Sequence, residues 1–149
     1  MGNDKQQSQQ QPTKPGKSVV DNETAELEFE RFCEAMDLDT DPSVMDEEDR
    51  KSFEQVKRRF VRAVVSGKLE VSEKGEPVLK PETGNVDEII FYEPDGAAYM
   101  ELDRAKKGQN VRGMHYIMSA ITKQPEKEFA RLKNRDYKIC QAVVNLFLG

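Results

Sequence analysis

His115, the one histidine in the chain, has an ordinary pKa that places proton exchange near neutrality, so it is the first candidate for acid–base chemistry. Its neighbours in sequence lack the partners that such chemistry uses. There is no Gly-Xaa-Ser-Xaa-Gly elbow, neither cysteine has a recognisable histidine and asparagine arrangement, and Ser119 is only its neighbour one helical turn on. His115 is therefore read as a half-exposed structural residue. Cys33 and Cys140 lie in different segments without Cys-Xaa-Xaa-Cys spacing, and one histidine cannot complete a zinc site with them. The glycine patterns that cradle phosphate are absent. Asp37, Asp39 and Asp41 alternate like the start of a calcium loop, but Pro42 follows, and neither the glycine nor the terminal glutamate falls in register. Glu47 and Glu48 stand at a solvated helix start, where nothing would raise a carboxyl pKa for general-acid work. The sequence thus predicts no catalytic residue, no metal, no cofactor and no enzyme.

What remains for function is charge and apolar surface, and both are organised. The net charge of -5 conceals blocks of opposite sign. Residues 1–20 sum to +2, residues 21–49 to -12, residues 50–68 to +6 and residues 69–149 to -1. Arg50, Lys51, Lys57, Arg58, Arg59 and Arg62 could neutralise phosphates, which is the sequence-independent part of nucleic-acid binding. The stronger acidic block beside them opposes that attraction, so direct nucleic-acid binding is not expected, and an acidic or amphipathic protein segment is the alternative ligand. Met100, Met114 and Met118, with Tyr99 and Tyr116, could form an adaptable groove but are read first as core filling. Phe147 and Leu148 could dock a partner or simply close the last helix.

The elements that must position these residues follow from periodicity. Ala25, Phe29, Phe32, Cys33 and Met36 step by three and four, predicting a short acidic amphipathic helix capped by Asn22 or Thr24. Asp37, Asp39 and Asp41 sit badly near its C-terminal carbonyls, so it should be marginal unless docked. Phe53, Val56, Phe60, Ala63 and Val64 predict a longer helix over about 46–66, with Gly67 as its stop. Leu69 and Val71, a turn at Glu73-Lys74-Gly75, then Val78 and Leu79 read as a hairpin, and the run from Val86 to Pro94 as a third strand. A helix is expected from Asp95 to about Lys107, another capped by Asn110 and carrying Val111, Met114, Met118 and Ile121, and a short one after Pro125. Ile139, Ala142, Val143, Leu146 and Phe147 define the last.

The expected class is therefore α+β, with a long N-terminal helix, a small antiparallel meander of two or three strands, and a helical C-terminal half. A chain of 149 residues fits one ordinary domain. The expected organisation is a disordered polar tail over 1–20, an acidic amphipathic segment and linker over 21–42, and the α+β domain over 43–149. No stretch is apolar for the length of a membrane span, and the Gln-rich start has no apolar signal core, so no membrane partner is expected.

From Phe53 onward the order of pieces carries a resemblance. The helix reads F-x-x-V-x-x-x-F-V-x-A-V-x-x-G-x-L. It is followed by Gly75-Glu76-Pro77, a strand ending in Tyr92-Glu93-Pro94, Ala105-Lys106-Lys107-Gly108, the run Leu132-Lys133-Asn134-Arg135-Asp136-Tyr137 and a closing Asn145-Leu146-Phe147-Leu148. Over about residues 50–149 this resembles the tail assembly chaperones of long-tailed bacteriophages. The resemblance implies a non-enzymatic factor that binds the tape measure protein, keeps its helical apolar surface soluble and yields to tail tube subunits. It also implies work in the bacterial host cytoplasm and absence from the mature virion. The candidate partner-binding residues are Arg50, Lys57, Arg58, Arg62, Tyr137, Phe147 and Leu148. Residues 21–41 are expected to cover the basic helix reversibly and compete with the client. The alternative is an adaptor for nucleic acid or a regulatory protein, using the basic helix over 50–62.

Overall fold

The computed structural model describes residues 20–82 and 85–149. The polar tail expected over 1–20 lies outside them apart from Val20, which packs against the core. Helix α1 (Asn22–Ala35) is capped by Asp21, whose carboxylate accepts from the Thr24 amide at 2.7 Å. The expected caps, Asn22 and Thr24, already lie within the helix, whereas Asp21 has the extended backbone that an N-cap requires. At the other end Asp37 adopts φ 54, while Leu38 N donates to Cys33 O and Asp37 N to Glu34 O. Asp37 thus stands outside the helix as its left-handed closing residue, a conformation that Asp tolerates better than most side chains.

A 3-10 turn (Pro42–Val44) leads into α2 (Glu47–Val65), capped by Asp46 onto the Asp49 amide at 2.8 Å. Three acids fill its first turn and Arg62 its last, in accord with the helix dipole. Gly67 at φ 81 ends it, with Lys68 N on Ala63 O and Gly67 N on Val64 O. A residue with a Cβ would be strained there. The chain then forms an antiparallel meander of β1 (Leu69–Val71), β2 (Pro77–Leu79) and β3 (Ile89–Ile90). Leu69 pairs with Leu79, and Leu79 with Ile89, so the apolar residues of all three strands meet on one face. Gly75, at φ 84 in the hairpin turn, lies against α1, where a Cβ would collide with the Ala35 side chain.

The helical C-terminal half comprises α3 (Gly96–Met100), a 3-10 turn (Glu101–Arg104), α4 (Asn110–Thr122), α5 (Glu126–Ala130) and α6 (Asn134–Leu148). The single helix expected over 95–107 is thus a short helix and a tighter turn. Gly113 of α4 explains the bend: a Cβ there would stand 3.3 Å from the Ala105 Cβ and 3.8 Å from Leu102 O. The segment tightens to lay Leu102 and Ala105 on that bare backbone. Asn110 is the first residue of α4, not its cap. Gln109 holds the cap position and turns its side-chain oxygen to the Lys106 amide instead.

One core serves every layer. Helix α2 packs against both α1 and α6, and four phenylalanines bind the three together. Phe32 stacks on Phe60 at 5.1 Å and meets Phe147 edge-on at 5.6 Å, while Phe29 meets Phe60 edge-on at 5.2 Å. Such pairs add to the large apolar area that each ring removes from water. The acidic helix is therefore docked by its apolar face, and no break in packing falls at residue 43. Arg31 fastens it further, donating to Ser72 O at 2.6 Å and Val71 O at 2.7 Å while paired with Glu28. Phe60, with no exposed surface, touches α1 across two ring contacts. Phe60→Ala is expected to cost about 3 to 5 kcal/mol of unfolding free energy in a urea titration, and a wild-type midpoint would reject this core.

Candidate functional site

Helices α2 and α6 cross with an open groove of about 920 Å³ between them. The stripes that form the helices also form the groove. In α2, Phe60, Val61 and Val64 are buried, which leaves Arg58, Arg59 and Arg62 exposed along the neighbouring flank. In α6, Cys140, Val143 and Phe147 are buried, and Arg135 and Lys138 are exposed. These five cations and Lys68 line the groove over a floor that includes Val56, Ala63, Ile139 and Ala142. Among the described residues, no carboxylate lines it.

The positive potential has a cost that marks the site. Arg135 and Lys138 stand in the first turns of α6, where the dipole favours acids, and Lys133 at the cap position makes no side-chain cap bond. The acid of that turn, Asp136, faces inward with 1% exposure. Its carboxylate accepts from Lys68 Nζ at 3.2 Å and from the Glu82 amide at 2.9 Å, and Lys68 also pairs with Glu82 at 2.7 Å. Glu128, 3% exposed, likewise holds the Asn85 amide and pairs with Arg131. Both buried carboxylates are thus committed to the connection between β2 and β3. Among the described residues, no buried polar side-chain atom lacks a hydrogen-bond partner.

The residues singled out from sequence fall in several places. Arg58 and Arg62 line the groove. Lys57 turns to the opposite flank of α2, pairing with Glu26 at 3.1 Å and lying over the Phe29 ring. Arg50 bridges back to Pro42 O and Met45 O, fastening the turn before α2. Phe147 is a core ring at 7% exposure, and only Leu148 beside it is exposed. Tyr137 is half-buried, its hydroxyl 2.9 Å from His115 Nε2. Residues 21–41 contribute nothing to the groove lining. Helix α1 does cover α2, through Phe29 and Phe32 on Phe60 and Glu26 on Lys57, but on the side away from the groove. Arg135 and Lys138 were not singled out. Their signal was a pair of cations three apart on the polar side of the final helix.

The remaining chemistry-bearing groups are held in unreactive states. Burial pushes the Cys33 thiol up to about 12 and raises Cys140 further, so neither is a ready thiolate. Among the described residues, no group of three His, Cys, Asp or Glu side chains could hold a metal ion, and no helix is long and apolar enough to cross a membrane. No protein-family model, no curated protein and no solved structure matches the chain.

Two predictions follow from these contacts. Asp136→Ala leaves the Glu82 amide without its acceptor and Lys68 with Glu82 alone, and should cost about 1 to 3 kcal/mol in urea denaturation. His115 is held below the ordinary imidazole range by burial, with Arg112 acting in the same direction against Glu126. Its neutral form is therefore the folded one. The stabilisation is complete above the unfolded value of about 6.5 and is lost as pH falls through it toward the lower folded value. A melting series from about pH 7.5 to 5.5 should fall more steeply for the wild type than for His115→Gln. Parallel curves would place that ring outside the linkage.

Proposed function

We propose that this protein is a non-enzymatic assembly factor that holds an acidic, helical segment of another polypeptide in the groove between α2 and α6. The observation that carries this reading is the composition of the groove: six cations, four of them guanidinium groups, around small apolar residues, with no carboxylate among the described lining. A helix laid there can bury an apolar stripe on the floor and set carboxylates against both walls. Guanidinium groups suit the task, since each takes a carboxylate in a two-pronged bond. Open to solvent, the charges favour fast, salt-sensitive and reversible capture, which a factor that must release its client needs.

With the resemblance noted above, the client becomes a tape measure protein and the successor a tail tube subunit. The setting becomes the host cytoplasm, with the factor absent from the finished virion. Coexpression tests this directly. The tape measure protein should be soluble with this chain and insoluble without it. Arg58→Glu with Arg62→Glu should abolish the rescue while leaving the melting temperature within a few degrees, since both positions are exposed. Solubility that is indifferent to the double variant would remove the groove from the mechanism.

One observation favours a second reading. An anionic polymer of another kind, a nucleic acid, would also be drawn to a groove without carboxylates. Neutralisation of about four or five phosphates would make its affinity fall steeply with salt, with a log–log slope near -4 on duplex DNA. A gel shift that is absent at about 0.1 M salt would dismiss the adaptor.

A further inference from the structure

We propose that the groove of one copy takes the outward face of α1 from a second copy, so that the chain associates with itself head to tail. The inference rests on the reading that this groove accepts an acidic helix, and it names one such helix within the protein. Once Ala25, Phe29, Phe32 and Cys33 turn inward, the outward side of α1 carries Glu23, Leu27, Glu30 and Glu34. At about 100° per residue these four fall within one narrow stripe. It is acidic, with a single apolar residue near its middle. Leu27 is 59% exposed, and nothing in the fold uses it.

Charge and length both match. Among the described residues, Glu23, Glu30 and Glu34 make no ion pair, and neither do Arg58, Arg59, Arg62, Arg135 and Lys138. The stripe from Glu23 to Glu34 spans about 16 Å at a rise of about 1.5 Å per residue, and so does the α2 wall of the groove from Gln55 to Ser66. Leu27 would meet Ala63, Ile139 and Ala142 on the floor while the glutamates meet the arginines. The match cannot be made within one chain. Phe29 and Phe32 hold α1 against Phe60, and no α1 residue reaches the groove.

The two surfaces are different patches of the molecule, so the contact is heterologous. A copy whose acidic face is engaged still offers its own groove, and assemblies grow with concentration. Because client and second copy would share the groove, client binding would shorten the assemblies.

Sedimentation velocity on the full chain tests the proposal. Wild-type protein should sediment above monomer at about 0.05 M salt and as monomer at about 0.5 M, where screening is short-ranged. Arg58→Glu with Arg62→Glu, and separately Glu30→Lys with Glu34→Lys, should each weaken association by about tenfold or more. Mixed in equal amounts, the two should form a two-chain species, since the intact acidic face of the first meets the intact groove of the second. Leu27→Lys, a single exposed change, should also weaken it and serves if either double variant misfolds. A wild type that stays monomeric at low salt overturns the proposal, as does association that is undiminished in the variants.

A labelled synthetic helix with one leucine stripe flanked by glutamates separates this failure from that of the underlying reading. If monomeric wild-type protein captures it, the groove reading stands without self-association. If it captures neither peptide nor copy, both fall.

Discussion

Phe32 lies between Phe60, stacked at 5.1 Å, and Phe147, edge-on at 5.6 Å, and through those rings α1, α2 and α6 share one core. Everything else about the molecule's surface follows from that contact. Because the apolar face of α1 is spent on it, that helix can show only its acidic side outward. Because α2 gives Phe60 to α1 and Ala63 to the flank facing α6, its arginines are left on the wall of a groove. A segment with thirteen acids and one base over residues 21–49 would resist compaction on its own. The rings supply the apolar burial that holds it, and Arg31 ties it to the hairpin through two carbonyls. Opposite charges that adjoin in sequence are thereby held largely on different surfaces, and among the described residues the two blocks pair where Lys57 meets Glu26 and Lys51 meets Glu47.

The groove is the opposite of a stability-optimised surface. Cations gather at the N-terminal end of α6, where the dipole favours acids, and the acid that could have offset them is turned inward to Lys68. A surface with mixed charges would be easier to fold. Unfavourable local electrostatics that persist beside well-satisfied buried polar groups are the kind of local conflict expected where a site, not the fold, sets the residue types. The buried carboxylates Asp136 and Glu128 serve a different purpose. Each receives a backbone amide of the connection between β2 and β3.

Much of the architecture was legible because it rests on periodicity within single segments. The apolar stripe from Phe53 to Val64 and that from Ile139 to Phe147 each reveal a helix, and the alternation at Leu69 and Val71 reveals the hairpin. Local reading failed where a distant residue decided the outcome. Gly113 lets the segment from Leu102 to Ala105 approach α4 closely, and the helix expected there tightens into a 3-10 turn for that reason. Gln109 displaced Asn110 from the cap because its side chain answers to Lys106. The groove was only half legible. Arg58 and Arg62 stand out in a basic block, whereas Arg135 and Lys138 lie in a segment of balanced charge and become a wall only through the crossing of two helices far apart in sequence. Tyr137 and Phe147 stood among the partner-binding candidates through the motifs that carry the resemblance, and the structure gives them to His115 and to the core.

The character of the groove also fixes what can regulate it. Its walls carry mostly guanidinium groups, which as a class hold a fixed charge. His115 is held below the ordinary imidazole range by burial, is paired with Tyr137 and does not line the groove. Nor do the thiols offer a redox handle, since both are buried and held protonated. Two variables remain: ionic strength, which screens the cations over about 8 Å at physiological salt, and the concentration of competing acidic segments. A site governed by those two quantities exchanges one acidic partner for another by mass action alone. That is a sufficient physical basis for the capture and release proposed above, with no energy source of the protein's own.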